Sequence, residues 1–92
     1  MNAEVIQKHP YEIAKANKII VVVAEPLGKI NGYYNRAFGQ RFIHVNDKLP
    51  EHRQHHVVNH ILRKALKNQD GTYLLMDSGK SYTILHKESE AH

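Results

Sequence analysis

Cysteine is absent from this 92-residue sequence, and so is tryptophan. Without cysteine there is no disulfide framework, no thiolate zinc site and no cysteine nucleophile. An intracellular home fits, because disulfides belong to oxidising compartments. Long apolar runs are also missing. The longest, Ile19–Ala24, falls far short of the roughly 18 residues a membrane span needs. Met1–Lys8 has no apolar stretch of the kind a secretory signal carries, so a cytoplasmic protein is expected. Prolines number three and glycines five, with no repeat and no low-complexity tract. A composition 41% hydrophobic and 24% charged is that of a globular chain. A length of 92 residues gives one domain, residues 1–92, with room for one modest core.

Negative charge is the scarcer sign, 9 Asp and Glu against 13 Lys and Arg. The excess is spread, six cations against three acids in residues 1–46 and seven against six in 47–92. Nucleic-acid binders usually show a clustered basic stripe. The best cluster here is Arg63, Lys64 and Lys67, which reads equally as a solvated helix face. Histidine is over-represented, with eight residues, of which His52, His55, His56 and His60 fall within one stretch of nine. Histidine as a residue type changes charge near neutral pH and can ligate a metal.

Pro10 suits a first helical turn, and Tyr11–Asn17 reads as a short helix with Ile13, Ala14 and Ala16 for packing. The β-branched run Ile19–Ala24 predicts a strand buried on both faces. Ile30–Asn35 and Arg41–Asn46 predict an antiparallel pair joined around Phe38-Gly39-Gln40, with Asn31-Gly32 read as a tight turn. Tyr33, Tyr34 and Phe38 are expected to pack within these strands. Asn46 or Asp47 is the expected cap of the next element, and Pro50 fits its first turn. From Glu51 to Asn68 the apolar positions Val57, Val58, Ile61, Leu62, Ala65 and Leu66 fill one face of a helix. His52, His56 and His60, spaced i, i+4 and i+8, occupy the far side, with Lys64 continuing their row. Asp70-Gly71 ends the helix. Thr72–Met76 and Ser81–His86 flank Asp77-Ser78-Gly79-Lys80 and predict a hairpin, and the polar tail Lys87–His92 is helical or frayed. The expected fold is α+β: a small mixed sheet of about three strands packed on the long helix 50–68, with a short N-terminal helix and a C-terminal hairpin or helix.

The order of these elements carries familiar strings. Pro10-Tyr-Glu-Ile-Ala, the Ile/Val strand, Glu25-Pro-Leu-Gly, Asn31-Gly-Tyr-Tyr, Phe42-Ile-His-Val-Asn and Leu49-Pro-Glu before a long helix together resemble the ImmA/IrrE-type zinc metallopeptidases. The resemblance spans residues 10–68 and, more loosely, 72–91. It implies a zinc-dependent peptidase domain and a phage or bacterial setting beside helix-turn-helix repressors, which some members cleave.

That family's helix carries a segment like V-L-A-H-E-L-G-H-A-L, in which two histidines hold zinc and the glutamate activates water. The matching stretch is Val57-Val-Asn-His60-Ile-Leu-Arg-Lys64-Ala-Leu66. His60 falls on the first zinc ligand, Ile61 on the catalytic glutamate and Lys64 on the second histidine. Isoleucine cannot accept a proton, and an ammonium group cannot ligate zinc, so hydrolysis by the family mechanism is lost. The resemblance places the family's third ligand at Glu90, where Glu90-Ala91 matches the start of its pattern and His92 ends the sequence. A shortened, inactive relative would expose apolar surface that favours a homodimer or a protein partner, by resemblance a helix-turn-helix repressor.

Two other readings stand beside this one. His56 and His60 have the i, i+4 spacing of a helical metal pair, so a zinc domain with residual peptidase activity could be built on them, with Glu90 or His44 adding a ligand. Otherwise no cofactor is expected. A small nucleic-acid binder would use Arg63, Lys64 and Lys67.

Overall fold

Pro10 opens the first helix, where its missing N–H leaves no hydrogen bond unmade. A computed structural model describes residues 9–24, 27–67 and 71–84. Helix α1 (Pro10–Ala16) buries Ala14 and rests Ile13 on the core, while Ala16 is exposed. Lys18, at φ +61°, turns the chain out of the helix and into strand β1 (Ile19–Ala24). Strands β2 (Ile30–Ala37) and β3 (Gln40–Asn46) then form the expected antiparallel hairpin. Phe38 and Gly39 make its two-residue loop, both at positive φ as a type I′ turn requires. Helix α2 (Glu51–Lys67) follows, and strands β4 (Thr72–Met76) and β5 (Ser81–Ile84) close the order as a second hairpin.

The α+β class is as expected, and the sheet is larger than the three strands read from the sequence. Its five strands run β1-β3-β2-β4-β5. Strand β1 lies parallel to β3, and every other neighbouring pair is antiparallel. The chain order therefore differs from the spatial order, which local patterns do not reveal. Both helices lie on one side of the sheet, α1 against β1 and α2 against β2, β3 and β4.

Between helix and sheet sits the core. Val57, Val58, Ile61, Leu62 and Ala65 of α2 meet Ile19, Tyr34, Ile43, Val45 and Tyr73 from the strands. Leu66, expected on this face, is partly exposed at 36%. Gly32 fixes how closely α2 can approach. A Cβ there would lie 2.8 Å from the Ile61 Cδ1 atom, 2.8 Å from the His44 carbonyl oxygen and 2.9 Å from the Val57 Cγ1 atom. Asn31-Gly32 is thus strand rather than turn, with a register shift between Ile30 and Gly32. The glycine is required by packing.

Three further expectations change. Strand β1 is an edge strand, not a strand covered on both faces, and Ile20 and Val23 remain 42% and 50% exposed. Its β-branched run reflects strand propensity rather than double burial. Neither Asn46 nor Asp47 caps α2, because the Pro50 carbonyl accepts the first helical N–H groups, those of Arg53 and Gln54. Asn46 instead braces the preceding turn. Its Oδ1 accepts from the Lys48 N–H at 2.9 Å, and its Nδ2 donates to the Ile30 carbonyl at 3.0 Å. Phe38 does not pack within the strands. It stands 97% exposed at the hairpin tip.

Candidate functional site

Helix α2 divides its side chains by period. The apolar row enters the core, and His52, His56, His60 and Lys64 lie exposed on the opposite side, as their spacing predicts. His60 is the member of that row with a structural partner. Strand β4 pairs Tyr73 with Tyr34 of β2, which sets the phenol beneath the helix. The His60 Nε2 atom and the Tyr73 hydroxyl lie 3.0 Å apart in a hydrogen bond. Partial burial first, then the positive charges of Lys64, His56 and Arg63, hold the His60 imidazole below its ordinary pKa. The neutral ring is favoured, and the helix surface around it is electropositive.

The residues flanking His60 decide what chemistry this row can support. Ile61 is fully buried, its Cδ1 atom packed over Gly32, so the next helical position holds no base and is closed to water. Lys64, one turn on, is exposed. Together with Lys67, Gly71, Thr72, Tyr73 and Thr83 it lines a cleft of about 190 Å³ at the C-terminal end of α2. A cation is repelled by such a lining, and an imidazole already bonded to a phenol is a poorer ligand. Among the described residues no three histidine, aspartate or glutamate side chains converge as a metal site requires. The described residues alone do not supply the ligand set of a catalytic zinc ion.

His44 is no substitute ligand, because it sits on the side of the sheet away from α2. Its ring stacks on Tyr33 with centroids 4.3 Å apart, and burial holds its pKa below the ordinary histidine value. Glu90 lies outside the described residues. His56 is exposed on the helix. Arg63, Lys64 and Lys67 are likewise exposed on α2, so the basic cluster exists as a surface feature.

Another histidine group carries no signal in the sequence. His9, Tyr11 and His55 form a three-ring cluster that ties α1 to α2, with centroid separations of 4.2 Å for His9–His55, 4.7 Å for His9–Tyr11 and 5.1 Å for Tyr11–His55. The His9 Nδ1 atom accepts from the Tyr11 N–H, and His55 lies 3.8 Å from the Glu51 carboxylate. Partial burial and the neighbouring Glu51 raise the Tyr11 phenol's pKa. The His9–His55 and Tyr11–His55 contacts join residues more than forty positions apart, and nothing in local spacing signals them. Tyr73 is more legible. It alternates with Leu75 along β4, and both face the core.

No protein family, curated protein or solved structure matches this chain. No helix among the described residues is long and apolar enough to cross a membrane.

Proposed function

We propose that this chain is a catalytically inactive relative of the ImmA/IrrE-type zinc metallopeptidases that works as a regulatory, protein-binding module. The observation that carries the reading is the state of the helix segment 60–64. His60 is bonded to Tyr73, Ile61 is buried in the core where a water-activating carboxylate would be needed, and Lys64 adds a positive charge. A peptidase of that kind needs an open metal position and a base beside it. Here the helix serves packing on one side and carries a cationic surface on the other. By resemblance, the partner would be a helix-turn-helix repressor in the cytoplasm of a bacterium.

A zinc titration of metal-stripped, tag-free protein tests this reading, with native mass spectrometry giving stoichiometry. The expected result is no stoichiometric zinc and no peptide hydrolysis. One ion held below about micromolar and lost in both His56→Ala and His60→Ala would overturn it and restore the metal reading. The nucleic-acid reading is tested separately by salt. Phosphate contacts through Arg63, Lys64 and Lys67 would weaken steeply between about 50 and 200 mM salt, whereas apolar protein binding would persist.

A further inference from the structure

Helices cover one face of the five-stranded sheet and nothing described covers the other. Strand registers align one row across all five strands of the open face: Val22, His44, Tyr33, Leu74 and Tyr82. Side chains alternate between faces along a strand, so this row points away from Ile43, Val45 and Tyr73 in the core. Ile20 and Phe42 form a second pair beside it. Between Tyr33, Phe42, His44 and the hairpin tip runs a shallow groove of about 260 Å³.

The row is notable for what it excludes. The chain is 24% charged, yet no Lys, Arg, Asp or Glu occupies the open side of any strand. Arg36 and Arg41, the charged pair within the strands, face one another on the helix side. A nucleic acid laid on the open face would find no cation for its phosphates. A second copy of the chain suits it better, because the charged side chains of the described strands, Arg36 and Arg41, lie on the opposite face and bring no like charge into such a contact.

The dimensions agree. Five strands at about 4.8 Å spacing and six residues at about 3.3 Å rise give a face of roughly 24 by 20 Å. Two such faces in contact bury on the order of 1,000 Å², about the least that marks a specific interface and the size of a weak, concentration-dependent one. Phe38 adds an independent sign. It holds a left-handed backbone, φ +55°, which bulky residues disfavour, and its ring is 97% exposed. Asparagine or glycine would fit that turn with less strain, and no contact among the described residues explains the aromatic ring. It borders the groove.

We propose that the open sheet face is the interface of a homodimer, in which two copies pack sheet on sheet across the Val22–Tyr82 row with the Phe38 rings buried at its margin. The inference does not depend on any relationship to peptidases. Aligned sheets pack face to face about 10 Å apart with interleaved side chains, and the row supplies side chains of suitable size.

Sedimentation equilibrium of the full chain at about 10–100 μM tests it, a range where an interface of this size should be populated. The unsubstituted chain is expected to run at twice its 10.6 kDa mass. Ile20→Lys with Tyr82→Lys alters only exposed positions on the open face and is expected to give a monomer with an unchanged far-ultraviolet circular dichroism spectrum. Val23→Lys, equally exposed but on the helix side of β1, should leave the dimer intact. Phe38→Asn should separate two effects, raising the melting temperature of the monomeric Ile20→Lys/Tyr82→Lys background while weakening dimerisation of the otherwise unsubstituted chain at least several-fold. A monomer throughout the concentration range would overturn the proposal and leave the face to a different protein. So would a dimer that survives Ile20→Lys/Tyr82→Lys or is lost with Val23→Lys, since assembly would then use another surface.

Discussion

Gly32 shows how one missing side chain can set a whole interface. The helix axis approaches β2 at the one strand position without a Cβ, and Ile61 and Val57 fill the space. Gly32→Ala should therefore destabilise the fold by about 1–3 kcal/mol through overpacking. Urea denaturation would read this directly, and a change under about 0.5 kcal/mol would mean the helix adjusts freely. His60 makes a second residue-scale prediction. Its folded pKa lies below the unfolded value near 6.5, so the unfolded chain binds more protons as pH falls. The neutral ring's contribution is complete above about 6.5 and is lost as pH falls through the folded pKa; His44, also lowered, acts in the same direction. Lys64→Gln removes one of the charges that depress His60 and should raise its pKa in an NMR titration. An unmoved or lowered midpoint would show that Lys64 does not set the field there.

At the scale of elements, helix α2 is the most legible part of the sequence. Its apolar period from Val57 to Ala65 names five core residues by spacing alone. The same period fixes what the helix can do chemically, because the position next to His60 belongs to the buried row. Ile61→Ala should cost about 2–5 kcal/mol by leaving a cavity. Ile61→Glu should prevent stable folding, since a carboxylate there would be buried without a described partner. A well-folded Ile61→Glu with an unchanged melting temperature would show that this position opens to solvent, and the catalytic reading would return. The β2–β3 hairpin is legible too, from two strand-like runs around Phe38-Gly39. The turn before α2 is less so. Asn46 has the chemistry of a helix cap and instead bonds Lys48 and Ile30. Asn46→Ala should destabilise by about 1 kcal/mol by unpairing partly buried backbone groups, measurable by thermal melting.

For the whole molecule, local patterns do not give the sheet order. Strand β1 joins β3 rather than its chain neighbour β2, and the second hairpin extends the sheet through β4. The local runs name all five strands, but the pairings that join them into one sheet are long-range, so spacing alone does not give the size of the sheet. The one-sided placement of helices has the same origin. Ile19–Ala24 reads as a doubly covered strand by composition, and only the assembled sheet leaves Ile20 and Val22 on an open face. The candidate metal site is legible in part. Sequence spacing puts His56 and His60 on one side of α2, while the bond from His60 to Tyr73 and the position of His44 across the sheet depend on the fold. Among the described residues two surfaces stand out, one cationic along α2 and one without charged side chains across the open side of the sheet.

The most direct test of that account is the melting temperature of metal-stripped protein with and without zinc. A native site with a Kd near 1 μM, given about 100 μM zinc, would stabilise the fold by about 2.7 kcal/mol. In a domain of this size that is a rise of at least about 10 °C, because each kcal/mol moves the midpoint by about 4–8 °C. Adventitious binding to exposed histidines near millimolar affinity would move it by less than about 1 °C. We predict the second result, and a rise of about 10 °C that disappears in His60→Ala would contradict it.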